Sequence, residues 1–261
     1  MALITQEQMG PVRRLTLNTP ETLNALSTQM LTALQGIFSE LETDLSTRVV
    51  ILRGAGKAFC AGHNLKEMQA MRESPDRGAS ALKALFDQCA EMMQTIPRLP
   101  QPVIAEVHGI ATAAGCQLVA SCDLAVAADD TRFGVNGVNI GLFCSTPMVA
   151  LSRNVARKTA FEMLVTGQFL SAERAQTAGL INRAVPPQDL EVETLELAEI
   201  ISSKLGAAVK IGKRAFYEQI QLPLDQAYAF TGEAMLENMS LEDTLEGVRA
   251  FNEKRDPNWE Q

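Results

Sequence analysis

The sequence predicts an α/β protein in which strands and helices alternate first and helices alone follow. Val12–Leu17 (VRRLTL) is short, alternating and bounded by turn residues, which is typical of a strand. Val49–Leu52 (VVIL) is a continuous apolar run typical of a buried strand. Beyond about residue 190 the pattern is helical, with no clear strand. We therefore predict a core of repeated β–β–α units over residues 1–195 and a helical C-terminal region over residues 196–261.

The first crossover contains a helix that begins after Ser27. Serine is a favourable N-cap residue, and the apolar residues after it recur at helical spacing. These apolar residues are Met30, Leu31, Leu34, Ile37, Phe38 and Leu41. A strand, a helix and a strand in this order predict a right-handed crossover between parallel strands.

Further elements alternate in the same way up to about residue 185. Residues 81–96 have helical spacing, and a cluster of prolines ends that helix. Strands are expected at Val103–Val107 and Leu124–Ala127, with a helix at Cys116–Ser121 between them. Helices dominate the next stretch, and Asn182–Val185 is expected to be strand-like.

The composition is that of an ordinary globular chain and disfavours nucleic acid and membrane as partners. The 261 residues are 46% hydrophobic and 21% charged, with a net charge of −8 at pH 7. No basic cluster is dense enough to follow a phosphate backbone, and no apolar run has the length of a membrane span. A small anionic ligand is compatible with this charge, because local lysines and helix N-termini act at short range.

The cysteines and the N-terminal sequence predict a cytoplasmic protein with free thiols. Five cysteines form an odd set without CxxC spacing, which favours reduced, mostly buried side chains. The stretch MALITQEQMGPVRRLTL has neither the apolar core of a signal peptide nor an Arg/Ser-rich amphipathic pattern. With two histidines and no metal-ligand spacing, we expect no metal site.

Two loops rich in small residues follow predicted strands. CAGHN comes after VVILRGAGKAF, and TAAGC comes after VIAEVHGIA. Small residues let another backbone or a ligand approach closely, and the first N–H groups of a helix are unpaired. One interpretation is that N–H groups from the two loops meet at one oxyanion, and the structural alternative is tight packing of helix on strand.

At these loops the sequence resembles the crotonase, or enoyl-CoA hydratase/isomerase, superfamily. KAFCAGHNLKEM is followed further along the chain by PVIAEVHGIATAAGCQLVASCDLAVAADDTRFG, in a specific order and spacing. VTGQFLSAERAQTAGLINRAVP and FNEKRDPNW also resemble the family, so the match covers nearly the whole chain. The resemblance implies a crotonase-type spiral of β–β–α repeats that binds an acyl-CoA thioester. Coenzyme A would be part of the substrate, without a separate cofactor.

By motif position, the resemblance assigns two backbone donors and a coenzyme A segment. The N–H groups of His63 and Ala114 would polarise the thioester carbonyl and stabilise its enolate. The residues after His63 would line the coenzyme A chain: Asn64, Leu65 and Lys66. Lys254 would meet coenzyme A phosphates from the same or a neighbouring subunit, with a solvated charge as the alternative. The family also implies homotrimers, paired into homohexamers, assembled through the C-terminal helices.

Hydratases of this family use two glutamates, and both positions differ in this chain. By motif position the first falls on Gln117 and the second on Gly137. A glutamine cannot act as a general base, and a glycine has no side chain. Each acid–base group typically contributes about 10²–10⁴-fold to a rate, so we expect weak hydration. Gln117→Glu combined with Gly137→Glu is expected to raise hydration if the scaffold is otherwise intact.

An uncharged polar rim near the second lost glutamate favours other chemistry. The rim comprises Asn136, Asn139, Cys144, Ser145 and Thr146. It suits a substrate that generates its own enolate, such as a malonyl-type thioester that loses carbon dioxide. The missing glutamates are also compatible with thioester hydrolysis and with non-catalytic acyl-CoA binding in regulation. Glu106, which interrupts an apolar strand, is a candidate for a replacement base.

Overall fold

The computed structural model describes residues 2–259, which form two β-sheets surrounded by helices. The strands are β1 (Ile4–Met9), β2 (Val12–Leu17), β3 (Val49–Gly54), β4 (Val103–Val107), β5 (Ile110–Thr112), β6 (Leu124–Ala128), β7 (Arg132–Gly134), β8 (Leu170–Ser171) and β9 (Arg183–Val185). The helices are α1 (Thr28–Leu41), α2 (Leu65–Met71), α3 (Ala79–Arg98), α4 (Ala114–Ser121), α5 (Pro147–Asn154), α6 (Arg157–Thr166), α7 (Ala172–Thr177), α8 (Leu190–Ser202), α9 (Gly206–Gln219), α10 (Leu224–Met239) and α11 (Glu242–Glu253). One sheet has the order β1-β2-β3-β4-β6-β9, and the other has the order β5-β7-β8.

The first crossover has the structure that the sequence predicts. β2 and β3 pair in parallel, with α1 between them in the chain. The Oγ atom of Ser27 caps α1 by accepting a hydrogen bond from the N–H group of Met30 at 3.1 Å. The predicted strands β4 and β6 and the helix α4 are also present. These elements carry apolar patterns that local sequence makes visible.

Four strands and one helix were not predicted. β1 is an edge strand with mostly exposed residues, so it lacks an apolar pattern. It turns back through Gly10, with φ at 56°, to pair antiparallel with β2. β5, β7 and β8 have only two or three residues each, too few to produce a periodicity. The other missed element is α5. Pairing across the fold, rather than local pattern, defines these short strands.

The main core lies between one face of the six-stranded sheet and helices α1, α3 and α4. Phe38, Phe59 and Phe133 are among its largest fully buried side chains. A smaller core covers the opposite face, where strand residues such as Ile51 and Ile104 pack with residues of α8. Both faces of the parallel part of this sheet are therefore shielded from water, as parallel strands require.

A buried ion pair attaches the C-terminal helices to this core. Nζ of Lys213, on α9, donates to Oδ2 of Asp123 at 2.6 Å. It also donates to the carbonyl oxygens of Ile96 and Gln101, each at 2.9 Å. Asp123 accepts a further hydrogen bond from the N–H group of Val103 at 2.6 Å. Asp123 therefore holds α9 against the start of β4, which is a structural role.

The predicted boundary between residues 195 and 196 lies within α8, which packs against the sheet. Helices α9, α10 and α11 follow, and they carry large apolar side chains that are exposed. These side chains include Phe216, Tyr228, Leu236 and Phe251. The division into two regions stays a prediction, and its last two residues lie outside the described ones. None of the helices between residues 2 and 259 combines the length and apolar character needed to cross a bilayer.

Candidate functional site

A cavity of about 610 Å³ brings together most of the predicted site residues. Its wall contains the loop after β3, the start of α4 and the segment that follows β7. The predicted residues on the wall are His63, Asn64, Leu65, Lys66, Ala114, Asn136, Gly137, Asn139 and Cys144. Gln117 and Lys254 are not on the wall. Residues 136–140, which include three of these positions, form a 3-10 turn.

The two loops rich in small residues lie against each other beside this cavity. Cys60 pairs with β5: its N–H donates to Ile110 at 3.2 Å, and its carbonyl accepts from Thr112 at 3.0 Å. A Cβ atom on Gly62 would lie only 3.2 Å from the backbone nitrogen of Ala114. A Cβ atom on Gly115 would lie 2.1 Å from the Cys60 carbonyl oxygen. Both glycines are therefore required by the close approach of one loop to the other.

The backbone just before Ala114 adopts a conformation that is costly for a residue with a side chain. Ala113 has φ at 49° and ψ at −120°, and its N–H group donates to the Gly134 carbonyl at 2.9 Å. Strain of this kind costs about 1–3 kcal/mol and concentrates at functional sites. In the described part of the chain, the N–H groups of His63 and Ala114 donate to no protein acceptor. Sequence analysis missed Ala113, because an alanine beside a helix carries no signal of strain.

The imidazole of His63 is largely buried in the cavity wall. Its Nδ1 atom lies 3.1 Å from the carbonyl oxygen of Leu26, so Nδ1 carries the proton, since a carbonyl only accepts. Nε2 is buried and has no partner among residues 2–259. The ring meets Phe86 edge-on, with 5.8 Å between centroids. Burial lowers the pKa of His63, which keeps the ring neutral at pH 7.

Gln117 lies one helical turn beyond Ala114, outside the cavity wall. Its side chain is buried, and Oε1 has no hydrogen-bond partner within the described residues. A buried amide oxygen without a donor is destabilising by roughly 1–3 kcal/mol. Its neutral side chain contributes neither a base nor an acid to the cavity.

Gly137 lies on the wall and has no room for a side chain. A Cβ atom there would lie 2.2 Å from the carbonyl oxygen of Leu142 and 2.9 Å from Sγ of Cys144. The Leu142 N–H group donates to the Gly137 carbonyl at 2.9 Å, which closes the chain over the glycine. A glutamate at this position would require the backbone of residues 142–144 to move, so the intact scaffold assumed for Gln117→Glu combined with Gly137→Glu would not be kept.

Two other candidate residues have buried side chains. Cys144 is on the wall but is buried, and burial raises the pKa of its thiol, so it is protonated at neutral pH. Glu106 is not on the wall: it is 1% exposed, and its Oε1 pairs with Nε of Arg53 at 3.2 Å. Burial raises the pKa of Glu106 as well. The candidacy of Glu106 as a replacement base is wrong, since it does not face the cavity.

Charge is sparse along the cavity. Glu21 and Lys66 are the only acidic and basic residues on its wall within residues 2–259, and both are exposed. The apolar part of the wall includes Met68, Phe86, Leu142 and Phe143. Lys254 caps the end of α11 and is exposed, so within one chain it does not meet the site. Its contact with coenzyme A phosphates stays a prediction.

The thiols and acids elsewhere within residues 2–259 form no metal centre. All five cysteines are free and buried, as the sequence predicted. In the described part of the chain, no three His, Cys, Asp or Glu side chains are grouped to hold a metal ion. Apart from the exposed Glu21 and Lys66, the described wall of the site consists of backbone amides, neutral polar side chains and apolar residues.

Comparisons with known proteins identify relatives across the whole chain. The family described as "Enoyl-CoA hydratase/isomerase" matches residues 7–261. A Xenopus laevis protein named "Enoyl-CoA hydratase domain-containing protein 3, mitochondrial" is 46% identical over 98% of this chain and 85% of its own length. The crystal structure of an enoyl-CoA hydratase from Mycobacterium smegmatis has a TM-score of 0.96 and 53% identity and covers both chains fully. The crystal structure of human enoyl-CoA hydratase domain-containing protein 3 has a TM-score of 0.94 and 42% identity, covering 99% and 100%.

These relatives confirm two predictions and correct a third. The stretches TAAGCQLVASCD and GVNIGLFCSTP point, within the family, to enoyl-CoA hydratase domain-containing protein 3, and this resemblance is confirmed. The crotonase-type fold with C-terminal helices is also confirmed. The prediction of a cytoplasmic protein is wrong by this comparison, because these curated relatives are named mitochondrial proteins.

Proposed function

The chain belongs to the enoyl-CoA hydratase/isomerase family, and we propose that it is an acyl-CoA-binding enzyme with a backbone oxyanion hole. The observation that supports this most is the meeting of the two loops at one cavity. The N–H groups of His63 and Ala114 would bind the carbonyl oxygen of an acyl- or enoyl-CoA thioester. Removing one such donor from an oxyanion hole typically costs about 3–4 kcal/mol. Coenzyme A enters as part of the substrate, and the chemistry needs no separate cofactor.

Hydration by this site would be weak. Adding water to an enoyl thioester requires groups that take and return protons, and each typically contributes about 10²–10⁴-fold. Gln117 is neutral and lies outside the wall, and Gly137 offers no side chain. Glu21 is an exposed residue at the wall and has no positioned partner. We therefore expect binding of enoyl thioesters with slow turnover.

Decarboxylation of a malonyl-type thioester is a second candidate, favoured by the sparse charge of the cavity wall. In this step the bond between the α-carbon and the carboxylate breaks, and carbon dioxide leaves. The electron pair passes into the enolate, whose oxygen is held by the two N–H groups. Water then protonates the α-carbon. No residue has to act as a base, which matches a site without carboxylates near Gly137.

A panel of thioesters tests these functions. Crotonyl-, malonyl-, methylmalonyl- and butyryl-CoA are incubated with the protein, and mass change and free thiol are followed, with affinity measured by calorimetry. Loss of carbon dioxide supports the second candidate, and release of free thiol indicates thioester hydrolysis instead. Binding without turnover indicates a non-catalytic acyl-CoA-binding protein. Hydration at ordinary rates contradicts the roles given to Gln117 and Gly137, and absence of binding to every thioester refutes the proposal itself.

A glycine variant tests the oxyanion hole directly. In Gly62→Ala the new Cβ atom would lie 2.9 Å from Cβ of Ala113, at a φ of 92° that disfavours side chains. The two N–H groups are then displaced, and thioester affinity should fall. Gly36→Ala is the matched control, because its position in α1 is exposed and free of neighbours. Equal affinity in Gly62→Ala and the control would contradict the proposed donors.

Homotrimers, with pairing into hexamers, are proposed for the assembled protein. The exposed apolar side chains of α9–α11 support assembly through these helices, because large apolar surfaces are rarely left in water. Light scattering after size exclusion measures the mass. Phe251→Glu should reduce it, whereas Leu45→Glu, at a 90% exposed position outside these helices, should not. A monomeric wild-type protein would refute this assembly.

A further inference from the structure

A hydrogen-bonded pair on the cavity wall is not accounted for by the oxyanion hole. The hydroxyl group of Thr112 donates to Oδ1 of Asn136 at 2.6 Å. Both residues line the cavity. Thr112 is the last residue of β5, which pairs with β7 at Gly134, and Asn136 follows β7 by two residues. The parallel pairing of two short strands therefore positions this side-chain pair.

The hydrogen bond from Thr112 leaves the nitrogen end of the Asn136 amide free. Oδ1 of Asn136 accepts from Thr112, so Nδ2 retains two N–H donors. Nδ2 donates to no acceptor among residues 2–259. It is also not among the fully buried atoms that lack a hydrogen-bond partner. It is therefore accessible, and the surface that Asn136 lines is the cavity. Asn139, on the same turn, differs because its Nδ2 donates to the Gly167 carbonyl at 3.3 Å.

Thr112, which holds this amide, lies next to the two loops that carry the proposed oxyanion donors. Thr112 precedes Ala114 by two residues, and the Gly62 Cβ position lies 3.0 Å from the Thr112 carbonyl oxygen. A thioester whose carbonyl is bound by the two N–H groups would carry its acyl group next to this pair. A plain hydrocarbon chain offers nothing to the amide donors and would strip them of water, which is unfavourable.

We propose that Asn136 is a specificity-determining residue that binds a second oxygen, on the acyl chain of the substrate. Thr112 is its positioning residue, because its hydroxyl donates to Oδ1 and so holds that end of the amide on the wall. The inference rests on the proposed thioester-binding function. It narrows the substrate to acyl-CoA thioesters with a hydrogen-bond-accepting oxygen near the thioester, in a keto, hydroxyl or carboxylate group. Unsubstituted acyl chains are the poorer ligands.

Dissociation constants for matched pairs of thioesters test this. Butyryl-CoA is compared with 3-oxobutyryl- and 3-hydroxybutyryl-CoA, and propionyl-CoA with malonyl-CoA, by calorimetry at one salt concentration. We expect the oxygenated member of at least one pair to bind about three- to tenfold more tightly, as one net hydrogen bond allows. Preference in the first comparison identifies a neutral oxygen, and preference in the second a carboxylate. Either result supports recognition of a second oxygen on the acyl chain.

Three variants separate recognition from a merely structural bond. Asn136→Ala should abolish the preference for oxygenated thioesters, and Thr112→Val should reduce that preference. Asn136→Asp replaces the amide donor by an acceptor, so this variant should bind propionyl-CoA more tightly than malonyl-CoA. If Asn136→Ala does not fold, Thr112→Val supplies the same readout at a neighbouring position.

The outcomes distinguish this inference from the function on which it rests. Tight binding of butyryl-CoA with no preference for oxygenated partners would overturn the role of Asn136 and leave thioester binding standing. A preference that persists unchanged in both Asn136→Ala and Thr112→Val would also overturn it. Failure of the wild-type protein to bind any thioester would remove the proposed function and this inference together.

Discussion

Replacement of Gly137 by alanine should destabilise the protein, because the segment after the glycine occupies the space of a side chain. The added Cβ atom would lie 2.2 Å from the Leu142 carbonyl oxygen, against ordinary contacts of 3.4–4 Å. The oxygen must therefore retreat by more than 1 Å, together with its peptide. This movement would also lengthen the hydrogen bond from the Leu142 N–H group to the Gly137 carbonyl.

The cost follows from these two effects. Overpacking of a filled site typically costs about 1–3 kcal/mol. Loss of one net hydrogen bond adds about 0.5–1.5 kcal/mol. We expect Gly137→Ala to lower the free energy of unfolding by about 2–4 kcal/mol, and the melting temperature by about 4–16 °C. Gly137→Glu should be at least as costly and should not restore hydration.

Thermal and urea unfolding of wild type, Gly137→Ala and the control Gly36→Ala measure this difference. Gly36 is exposed within α1, and a Cβ atom there meets nothing within 4 Å. Gly36→Ala should therefore be neutral or stabilising by up to about 1 kcal/mol, since alanine favours helix more than glycine does. If Gly137→Ala is as stable as wild type, or if Gly137→Glu hydrates crotonyl-CoA rapidly, the steric argument is refuted.

Three further variants test other parts of the structure. Lys213→Met should cost about 3–5 kcal/mol in urea unfolding, because it leaves a buried carboxylate at Asp123 unpaired; Lys210→Met, exposed on the same helix, is the control and should change little. Burial lowers the pKa of His63 below 6.5, so the unfolded chain binds more protons as the pH falls through and below that value. The free energy of unfolding should therefore fall with decreasing pH. His63→Gln should lessen this fall by up to about 1.4 kcal/mol per pH unit. Equal falls in the variant and the wild type would contradict this. Gln117→Glu alone should not raise the rate of crotonyl-CoA hydration, because position 117 is outside the cavity wall. The rate is measured by loss of enoyl absorbance. A tenfold gain would show that the side chain at position 117 reaches the substrate.

Much of the fold follows from local patterns that the sequence displays. The apolar spacing after Ser27 and the runs at β3 and β4 arise because helix and strand bury one face or both. The exposed edge strand β1 and the two-residue β8 lack such a pattern, since their pairing partners stabilise them. For β8 the partner strand β7 lies far away along the chain, and local sequence carries no record of it.

Some features of the candidate site could also be predicted from the sequence, whereas others required the structure. The motifs around His63 and Ala114 identified the wall residues, because their residue order can be read directly. Sequence position placed Gln117 beside the reaction, yet its side chain is buried and does not line the cavity. Glu106 was an odd residue in an apolar strand, and only the structure shows Arg53 as its partner. The direction in which a side chain points depends on packing that one-dimensional spacing does not specify.

The sequence by itself determined the family, the alternation of strand and helix, and the absence of glutamates at positions 117 and 137. Those features depend on residue identity and on periodicity, both of which are local. Tertiary structure alone decided that the two glycine-containing loops touch, that Ala113 is strained, and that the chain at Leu142 closes over Gly137. It also decided that Thr112 orients Asn136, because these contacts join segments brought together by the pairing of β5 with β7.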